Sequence, residues 1–331
     1  MSDVTQTLSA TVWAASTTIS GNAGDNDTLD VVADNNDISA DLTLPTLSSI
    51  ETGNLIGTAG TDTITLTGEQ LDAIIIGTGT IDLGDGTGDT INLTSTSLDL
   101  NLLGASDDGG IQGVEAISAA TAAGGVEIDL SGQSEGFTLT GSAQADTLTG
   151  GDGGDTMTGG GGADTLTGNA GNDIFNLANG DFVANESIDG GADTDAIVLT
   201  EGMAVDFSAG TISNVETLTG SSDVDTVTMF LAQWGALTTI DLGDGADTLN
   251  VIADGSDISL LTGPTVSNVE TGNLVGTDNS DSVTLKGEQL DAILIGTGTI
   301  DLGDGAADTI NLTSTSADLN AAANGDIVNV E

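Results

Sequence analysis

The sequence contains no cysteine, no histidine and no tyrosine, and Lys286 is its only basic residue. Without cysteine there are no disulfides, no thiolate metal sites and no thiol nucleophiles. Without histidine and arginine there are no imidazole bases, catalytic triads or arginine clamps. One lysine cannot form the basic patch that a nucleic acid partner requires. These absences predict that the protein is not an enzyme and does not bind nucleic acid.

Long apolar runs are absent too. No segment approaches 18 apolar residues, so we expect no membrane-spanning helix. The first residues, MSDVTQTLSATVWAAS, lack the basic region and long apolar core of a secretory signal. Aromatic residues make up only 2% of the chain, which argues against sites that hold sugars by stacking. Paired carboxylates could still serve a polysaccharide-active enzyme, since β-helices host such enzymes, and this stays a distant third hypothesis.

What the chain has in excess is negative charge. Its 52 acidic residues give a formal net charge of −51 over 331 residues. Such a charge with few aromatics is typical of disorder, but a hydrophobic content of 37% and a mean hydropathy of +0.13 favour a folded chain with an aliphatic core. Because self-repulsion opposes a compact state, we expect this fold to take up cations.

Internal repeats organise the sequence. The segment from Ile50 to Leu100 returns almost unchanged from Val269 to Leu319, and the segment from Ser2 returns more loosely from Ser222. The second alignment places Trp13 on Trp234, the only two tryptophans. Repetition on this scale indicates a modular array. We predict five modules: A (1–49), B (50–114), C (115–214), A′ (215–268) and B′ (269–331).

A short tag marks most module junctions: SSIET at Glu51, QGVEA at Glu115, and SNVET at Glu216 and Glu270. The last residues, IVNVE, repeat the tag up to Glu331, and the start at Ser2 matches a point just inside module A′. We therefore expect that one copy of the chain could continue another.

Short β-type runs alternate with Gly/Asp turns, as in TDTITLTG and DTINLTS. Alternation with a period of two places Ile91 and Leu93 on one face of a strand. Only GEQLDAI, at Gly68 and again at Gly287, suggests a helical turn. The pattern predicts an all-β fold, a right-handed parallel β-solenoid whose stacked coils bury one continuous core.

Four consecutive nonapeptides occupy residues 141–176: GSAQADTLT, GGDGGDTMT, GGGGADTLT and GNAGNDIFN. Glycine permits turns with positive φ, and the aspartate in sixth place supplies a hard anionic oxygen, the ligand that calcium prefers. The apolar eighth residues point to a core: Leu148, Met157, Leu166 and Phe175. In-register carboxylates would repel one another if they stayed unpaired, so the array predicts calcium sites.

The nonapeptides resemble the RTX (repeats-in-toxin) calcium-binding β-roll, GGxGxDxUx with U apolar. In that family two nonapeptides make one coil, and the ion lies between successive turns on the same side. The resemblance implies that Asp146 and Asp164 share an ion, and likewise Asp155 and Asp173. It also implies minor contributions from carbonyls of Gly150, Asp152, Gly159 and Gly161. Asp195 follows the same pattern, although Asp193 replaces the fourth glycine, and the degenerate turn at 141–144 is expected to bind weakly.

Looser versions of the motif occur outside the array, at Gly21, Gly57, Gly84, Gly243 and Gly303. They are either calcium turns or polar solenoid corners. Their candidate ligands are Asp27, Asp62, Asp85, Asp89, Asp244, Asp247, Asp304 and Asp308.

Two functional hypotheses follow. The first is a calcium-dependent, self-assembling extracellular protein that stacks head-to-tail into a filament, matrix fibre or surface layer, as the resemblance to RTX surface-layer and biofilm proteins implies. The second is a monomeric RTX adhesin or binding module for a glycan or ice, although the spacing of threonine rows varies between modules. The partners are then calcium, further copies of the chain and a cell-surface polysaccharide. Secretion by a type I route is implied by the resemblance alone.

Overall fold

The computed structural model describes residues 3–22, 24–40, 44–105, 110–277, 279–305, 307–321 and 327–330. Two compact units make up the chain, Met1–Asp173 and Ile174–Glu331. Their boundary falls inside the nonapeptide array, and the five-module scheme stays a prediction. The expected continuation from Glu331 to Ser2 concerns residues outside the described ranges. In the described part of the chain, no helix is long and apolar enough to cross a membrane.

The first unit consists of short strands with three short helices between them. The strands are β1 (Thr5–Ser9), β2 (Thr18–Ser20), β3 (Thr28–Val32), β4 (Thr46–Ser48), β5 (Thr52–Ile56), β6 (Thr63–Leu66), β7 (Ile81–Asp82), β8 (Thr90–Leu93), β9 (Ile111–Gln112), β10 (Ala116–Ser118), β11 (Glu127–Asp129), β12 (Thr138–Thr140), β13 (Thr147–Thr149), β14 (Thr156–Thr158) and β15 (Thr165–Asn169). The helices are α1 (Ala10–Ala14), α2 (Gly68–Ile74) and α3 (Leu98–Gly104). Strands pair in parallel in the orders β1-β3-β5-β7-β9, β6-β8-β10-β12-β14, β11-β13-β15 and β2-β4.

The second unit has the same character. Its strands are β16 (Ile174–Leu177), β17 (Ser187–Gly191), β18 (Ala196–Leu199), β19 (Ala204–Asp206), β20 (Thr211–Ser213), β21 (Thr217–Thr219), β22 (Thr226–Phe230), β23 (Thr239–Asp241), β24 (Thr248–Ile252), β25 (Thr265–Ser267), β26 (Thr271–Val275), β27 (Ser282–Leu285), β28 (Ile295–Gly296), β29 (Ile300–Asp301), β30 (Thr309–Leu312) and β31 (Ile327–Val328). Helical segments are α4 (Leu231–Ala236), α5 (Gly287–Ile293), α6 (Ala317–Ala321) and a 3₁₀ turn at Phe207–Ala209. Parallel pairing gives β16-β18-β21-β23-β25, β17-β20, β19-β22-β24-β26-β29-β31 and β27-β30, and β28 pairs antiparallel with β26.

Alternation of apolar and polar residues builds the core in both units. In the first unit one column of side chains crosses the sheet from β6 to β14 in register. None of its members has exposed surface: Ile64, Ile91, Ile117, Leu139 and Met157. The apolar eighth residues of the nonapeptides are buried as predicted. Stacked parallel strands around an aliphatic core confirm the predicted parallel β-roll.

Coil length differs along the chain, although the stacking does not. In the array Thr138 pairs with Thr156, and the matching turns are 18 residues apart, which is two nonapeptides per coil. Elsewhere the spacing between the acids of successive turns ranges from 21 to 27 residues. The extra length lies in helices and loops between strands, so the strands stay in register.

The predicted helical turn at GEQLDAI is present in both copies, as α2 and α5. Four further helices, α1, α3, α4 and α6, are not evident from the sequence, because five to seven residues are too few for a helical period. Trp13 in α1 and Trp234 in α4 are both completely buried. The equivalence of these two tryptophans supports the alignment of module A with A′.

Candidate functional site

The predicted ligands divide by burial into two groups. Four lie exposed at the tips of turns: Asp85, Asp152, Asp244 and Asp304. Ten lie buried, with at most 3% of their surface exposed: Asp27, Asp62, Asp89, Asp146, Asp155, Asp164, Asp173, Asp195, Asp247 and Asp308. Each of these ten aspartates is the residue immediately before a strand. Such carboxylates need partners, because a buried charge without any is costly.

Aspartates of successive coils are hydrogen-bonded to one another in the array. The backbone N–H of Asp146 donates to Oδ1 of Asp164 over 2.8 Å, and that of Asp155 to Oδ1 of Asp173 over 2.7 Å. These are the two pairs predicted to share an ion. The structure therefore brings each pair together one coil apart, and ion sharing remains a prediction.

Asp155 illustrates the environment of one such carboxylate. The N–H of Phe137 donates to its Oδ1 over 2.7 Å and the N–H of Gly151 to its Oδ2 over 2.8 Å. Burial nevertheless raises the pKa of Asp155 to about 6, since desolvation of the charged form outweighs these two hydrogen bonds. A cation beside the carboxylate would offset that desolvation.

The glycines of the motif make room for these oxygens. A Cβ at Gly150 would collide with Oδ2 of Asp155, and one at Gly159 with Oδ2 of Asp164. Gly162 and Gly171, both in fourth place, have φ of 121° and 105°. Asp193, which replaces glycine at that place, has φ of 79°, a left-handed conformation that aspartate tolerates better than most residues.

The predicted carbonyl ligands differ in their surroundings. The carbonyl oxygen of Gly159 faces Gly141, where a Cβ would meet both that oxygen and Oδ2 of Asp146. The carbonyl oxygen of Gly150 accepts a hydrogen bond from Asn169 Nδ2 over 2.7 Å. Ser142 donates its N–H (2.5 Å) and its hydroxyl (3.0 Å) to Asp146, which occupies that carboxylate within its own turn. This competition is a physical reason for the weak binding expected at the first nonapeptide.

The donor set fits calcium. Among the described residues, no three acidic, histidine or cysteine side chains cluster as a dedicated metal centre. An ion between coils would therefore combine one or two carboxylates with backbone carbonyls and water. Calcium takes six to eight oxygen ligands in flexible geometry, which such a mixed set satisfies, and no nitrogen or sulfur ligand is present to favour a transition metal.

Two further buried acids that directly precede strands were not predicted from the sequence. Asp225 and Asp281, 0% and 7% exposed, lie in equivalent turns, but Asp223 and Asn279 stand where the motif has its glycine in fourth place. The shared signal, an acid directly before a Thr/Ser-initiated strand, was available in the sequence.

The glutamates of the module tags continue this series of hydrogen-bonded acids from coil to coil. In each of the four tags whose glutamate the structure describes, that glutamate accepts a hydrogen bond from the backbone N–H of an aspartate in the neighbouring coil. The pairs are Asp27 with Glu51 (2.9 Å), Asp89 with Glu115 (2.7 Å), Asp195 with Glu216 (2.9 Å) and Asp247 with Glu270 (2.7 Å). The residue two places earlier has positive φ: Ser49, Gly113, Asn214 and Asn268. The tag is therefore a second type of coil corner, in which glutamate takes the place of aspartate.

The comparison with protein families agrees with this geometry. The model of the RTX calcium-binding nonapeptide repeat, which spans 4 copies, matches residues 138–166 and 149–181. Among curated proteins, a search found none that matches the chain. RTX nonapeptide repeats bind multiple calcium ions and are typical of secreted proteins. Residues 138–181 therefore carry RTX calcium-binding nonapeptide repeats.

Proposed function

We propose that the protein is a calcium-dependent extracellular structural protein that self-assembles head-to-tail into a filament, matrix fibre or surface layer. The observation that supports this most is the duplicated unit, which adopts the same element order twice. β5, β6, α2 and β8 of the first copy correspond to β26, β27, α5 and β30 of the second. A chain that stacks near-identical coils within itself carries surfaces suited to stacking between copies.

Different coils stack in the same parallel register. Thr5, Thr28 and Thr52 pair in register in one unit, and Thr226, Thr248 and Thr271 do so in the other. Each coil offers one edge to the preceding coil and the opposite edge to the next. Contacts of this head-to-tail kind are heterologous and need not close, so they generate fibres.

The net charge of −51 makes this assembly dependent on a cation. Two such chains repel one another until ions neutralise their acidic turns. Calcium in the turns would lower that repulsion and order the coils at the same time. Chelation should therefore reverse assembly.

Light scattering on a size-exclusion column, with negative-stain microscopy of the same fractions, tests the proposal. We expect fibres or sheets in millimolar calcium and dispersed chains in chelator. Magnesium at equal ionic strength is the control, because it has the same charge but suits irregular oxygen sites poorly. A clean monomer at millimolar calcium would overturn the assembly.

Export by a type I route is part of the proposal. A chain that repels itself without calcium would stay unfolded in a low-calcium cytosol and fold outside. Co-expression with a type I exporter should release the intact chain into the medium. Retention of the full-length chain in the cells would contradict this route.

A second candidate, a binding module for ice or a glycan, is favoured by one observation. The outward face of the β6-β8-β10-β12-β14 sheet carries two columns of mostly hydroxyl-bearing side chains in register. They are Thr63, Thr90, Ala116, Thr138 and Thr156, and Thr65, Asn92, Ser118, Thr140 and Thr158. The columns are regular in space even though the coils differ in length. This regularity was not evident from the sequence spacing.

Thermal hysteresis and glycan binding by the calcium-loaded monomer test this candidate. Thr140→Tyr would interrupt one column and should abolish either activity. Thr147 on β13, in a different sheet, is the control position for the same substitution. If the Thr140 variant keeps both activities, the threonine columns are not the binding surface.

A further inference from the structure

Six turns outside the array fall into two structural classes of three each. In the first, a Ser or Thr four residues before the aspartate donates its backbone N–H to Oδ2. The distances are 2.6 Å from Thr58 to Asp62, 2.8 Å from Ser221 to Asp225 and 2.6 Å from Thr277 to Asp281. In each, the hydroxyl donates to the same carboxylate as well. We refer to these as hydroxyl-capped turns, and Oδ2 of each aspartate is satisfied within the turn.

The second class comprises the LGDG turns, residues 83–86, 242–245 and 302–305. Their aspartates are Asp89, Asp247 and Asp308, each 0% exposed. Oδ1 of each accepts a 2.7 Å hydrogen bond from the backbone N–H of the aspartate in a hydroxyl-capped turn, one coil earlier. Oδ2 of each is buried and has no hydrogen-bond partner among the described residues. The same arrangement occurs three times, at Asp89 and Asp308 in the two copies of the duplicated segment and at Asp247 in a different module.

A buried carboxylate oxygen without a donor is costly, and native proteins rarely leave one so. An ordered water, a proton or a cation must therefore accompany it. The surroundings favour a cation, because further oxygens face the same space. A Cβ at Gly86 would lie 2.6 Å from both carboxylate oxygens of Asp89 and against the carbonyl oxygen of Gly60.

The other two LGDG turns repeat this arrangement of oxygens. A Cβ at Gly245 would meet Asp247 and, at 2.7 Å, the carbonyl oxygen of Asp223. At Gly305 it would meet Asp308 and the carbonyl oxygen of Asn279. Each LGDG turn thus places a carboxylate beside a carbonyl of the preceding coil. In two of them, Glu115 or Glu270 adds a second carboxylate one coil further on.

We propose that the three LGDG turns are calcium sites, separate from the nonapeptide array, in which Oδ2 of Asp89, Asp247 and Asp308 binds the ion together with the facing carbonyl oxygen. The hydroxyl-capped turns bind none. Carboxylate and carbonyl oxygens without nitrogen or sulfur ligands select a hard cation, and calcium accepts the irregular geometry of a turn. This proposal rests on calcium binding by the chain and does not depend on its assembly.

Two matched triple variants of the full chain test it. In one, Asp89, Asp247 and Asp308 are each changed to Asn, which keeps the shape and removes the charge. In the other, the hydroxyl-capped Asp62, Asp225 and Asp281 are changed to Asn. Calcium per chain is counted by equilibrium dialysis and elemental analysis, at a protein concentration where light scattering shows monomers. We expect three fewer ions in the first variant and an unchanged number in the second.

Folding is checked by circular dichroism in calcium, with Asp155→Asn as a positive control for loss at the array. If the first triple variant does not fold, each single variant, such as Asp89→Asn, should lose one ion. An unchanged ion count in all LGDG variants would overturn the proposal. So would an equal loss from the hydroxyl-capped variant. Failure of assembly alone, with the ion counts as expected, would contradict the proposed function and leave these sites intact.

Discussion

At the scale of single residues, the burial of Asp155 makes the stability of the folded chain depend on pH. Its pKa in the folded chain is about 6, above the ordinary value of 3.8. Because the folded state binds this proton more tightly than the unfolded state, the neutral form favours folding. Without calcium, the group's stabilising contribution is gained as the pH falls from about 6 towards 4 and is lost as the pH rises.

We therefore expect the chelated protein to have more residual structure at about pH 5 than at about pH 7.5. Circular dichroism melts at constant ionic strength measure this. Other carboxylates titrate as well, so the comparison is with Asp155→Asn, in which the difference between the two pH values should shrink. An identical difference in the variant would show that Asp155 does not contribute.

Calcium reverses the sign of this pH effect. The ion and the proton compete for the same carboxylate, so calcium affinity should fall as the pH drops below about 6. Titration calorimetry at several pH values measures that loss. Asp155→Asn should bind calcium more weakly at neutral pH, and its affinity should depend less on pH.

Asn268 stabilises the coil corner formed by the tag at Glu270. It has φ of 53°, and its Nδ2 donates to Oδ1 of Asp241 over 2.7 Å. Asn268→Ala would lose this hydrogen bond and place a Cβ-bearing residue in the left-handed region without compensation. We expect the free energy of unfolding of the calcium-loaded chain to fall by about 1–3 kcal/mol.

Asn268→Gly separates the two contributions, because glycine accepts the positive φ but lacks the side-chain donor. It should be less destabilised than Asn268→Ala in the same thermal melts. Equal destabilisation by both would show that the backbone conformation contributes little.

At the scale of elements, the duplicated helices α2 and α5 differ at one end. Thr67 caps α2 through a capping box, in which Gln70 N–H donates to Thr67 Oγ1 over 3.1 Å and Thr67 N–H to Gln70 Oε1 over 2.8 Å. Lys286 holds the equivalent place before α5 and has no side-chain acceptor. Its Nζ instead donates to the carbonyl oxygen of Leu261 over 2.8 Å.

Thr67→Ala should consequently destabilise the chain by about 1 kcal/mol, the usual effect of losing an N-cap. Lys286→Ala removes no cap and only an exposed hydrogen bond, so it should have a smaller effect. Chemical denaturation of both variants in calcium compares them. A larger effect of Lys286→Ala would mean that its contact with Leu261 matters more than capping.

The repeated elements were largely predictable, because turn glycines, aspartates and two-residue alternation are visible in the sequence. The turns at Asp225 and Asp281 were less evident, because Asp223 and Asn279 replace the glycine in fourth place of the motif there, although each acid still directly precedes a strand. The glutamate tags were recognised as repeats, but their role depends on a hydrogen bond to another coil. Likewise, the threonine columns appear only when coils of different length are stacked. What the sequence cannot supply is the alignment of one coil on the next.

At the scale of the whole molecule, charge sets the condition for folding. With 52 acidic residues and one basic residue, the chain offers almost no internal ion pairing. Burying a row of carboxylates without ions adds desolvation to that repulsion. We expect chelator to abolish the β-type circular dichroism spectrum and to shift the emission of Trp13 and Trp234, both fully buried in the folded chain.

Monovalent salt separates charge screening from specific binding. At about 0.5 M salt the Debye length is shorter than 5 Å, so long-range repulsion is largely removed. If calcium acts only by screening, salt should restore the fold in chelator. If it binds in the turns, salt should restore little. A chelated, salt-balanced sample with an unchanged spectrum and melting temperature would contradict the requirement for calcium.

The fixed position of each acid before its strand has a consequence for how the gene can change. Hydrogen bonds between equivalent acids span 18 residues in the array and 27 between Asp62 and Asp89, yet the strands that follow stay in phase. The acid thus fixes the residue at which the strand of each coil begins. Residues inserted between one acid and the next are accommodated in loops or helices. A single residue inserted between an acid and its strand would exchange the inward and outward faces of that strand.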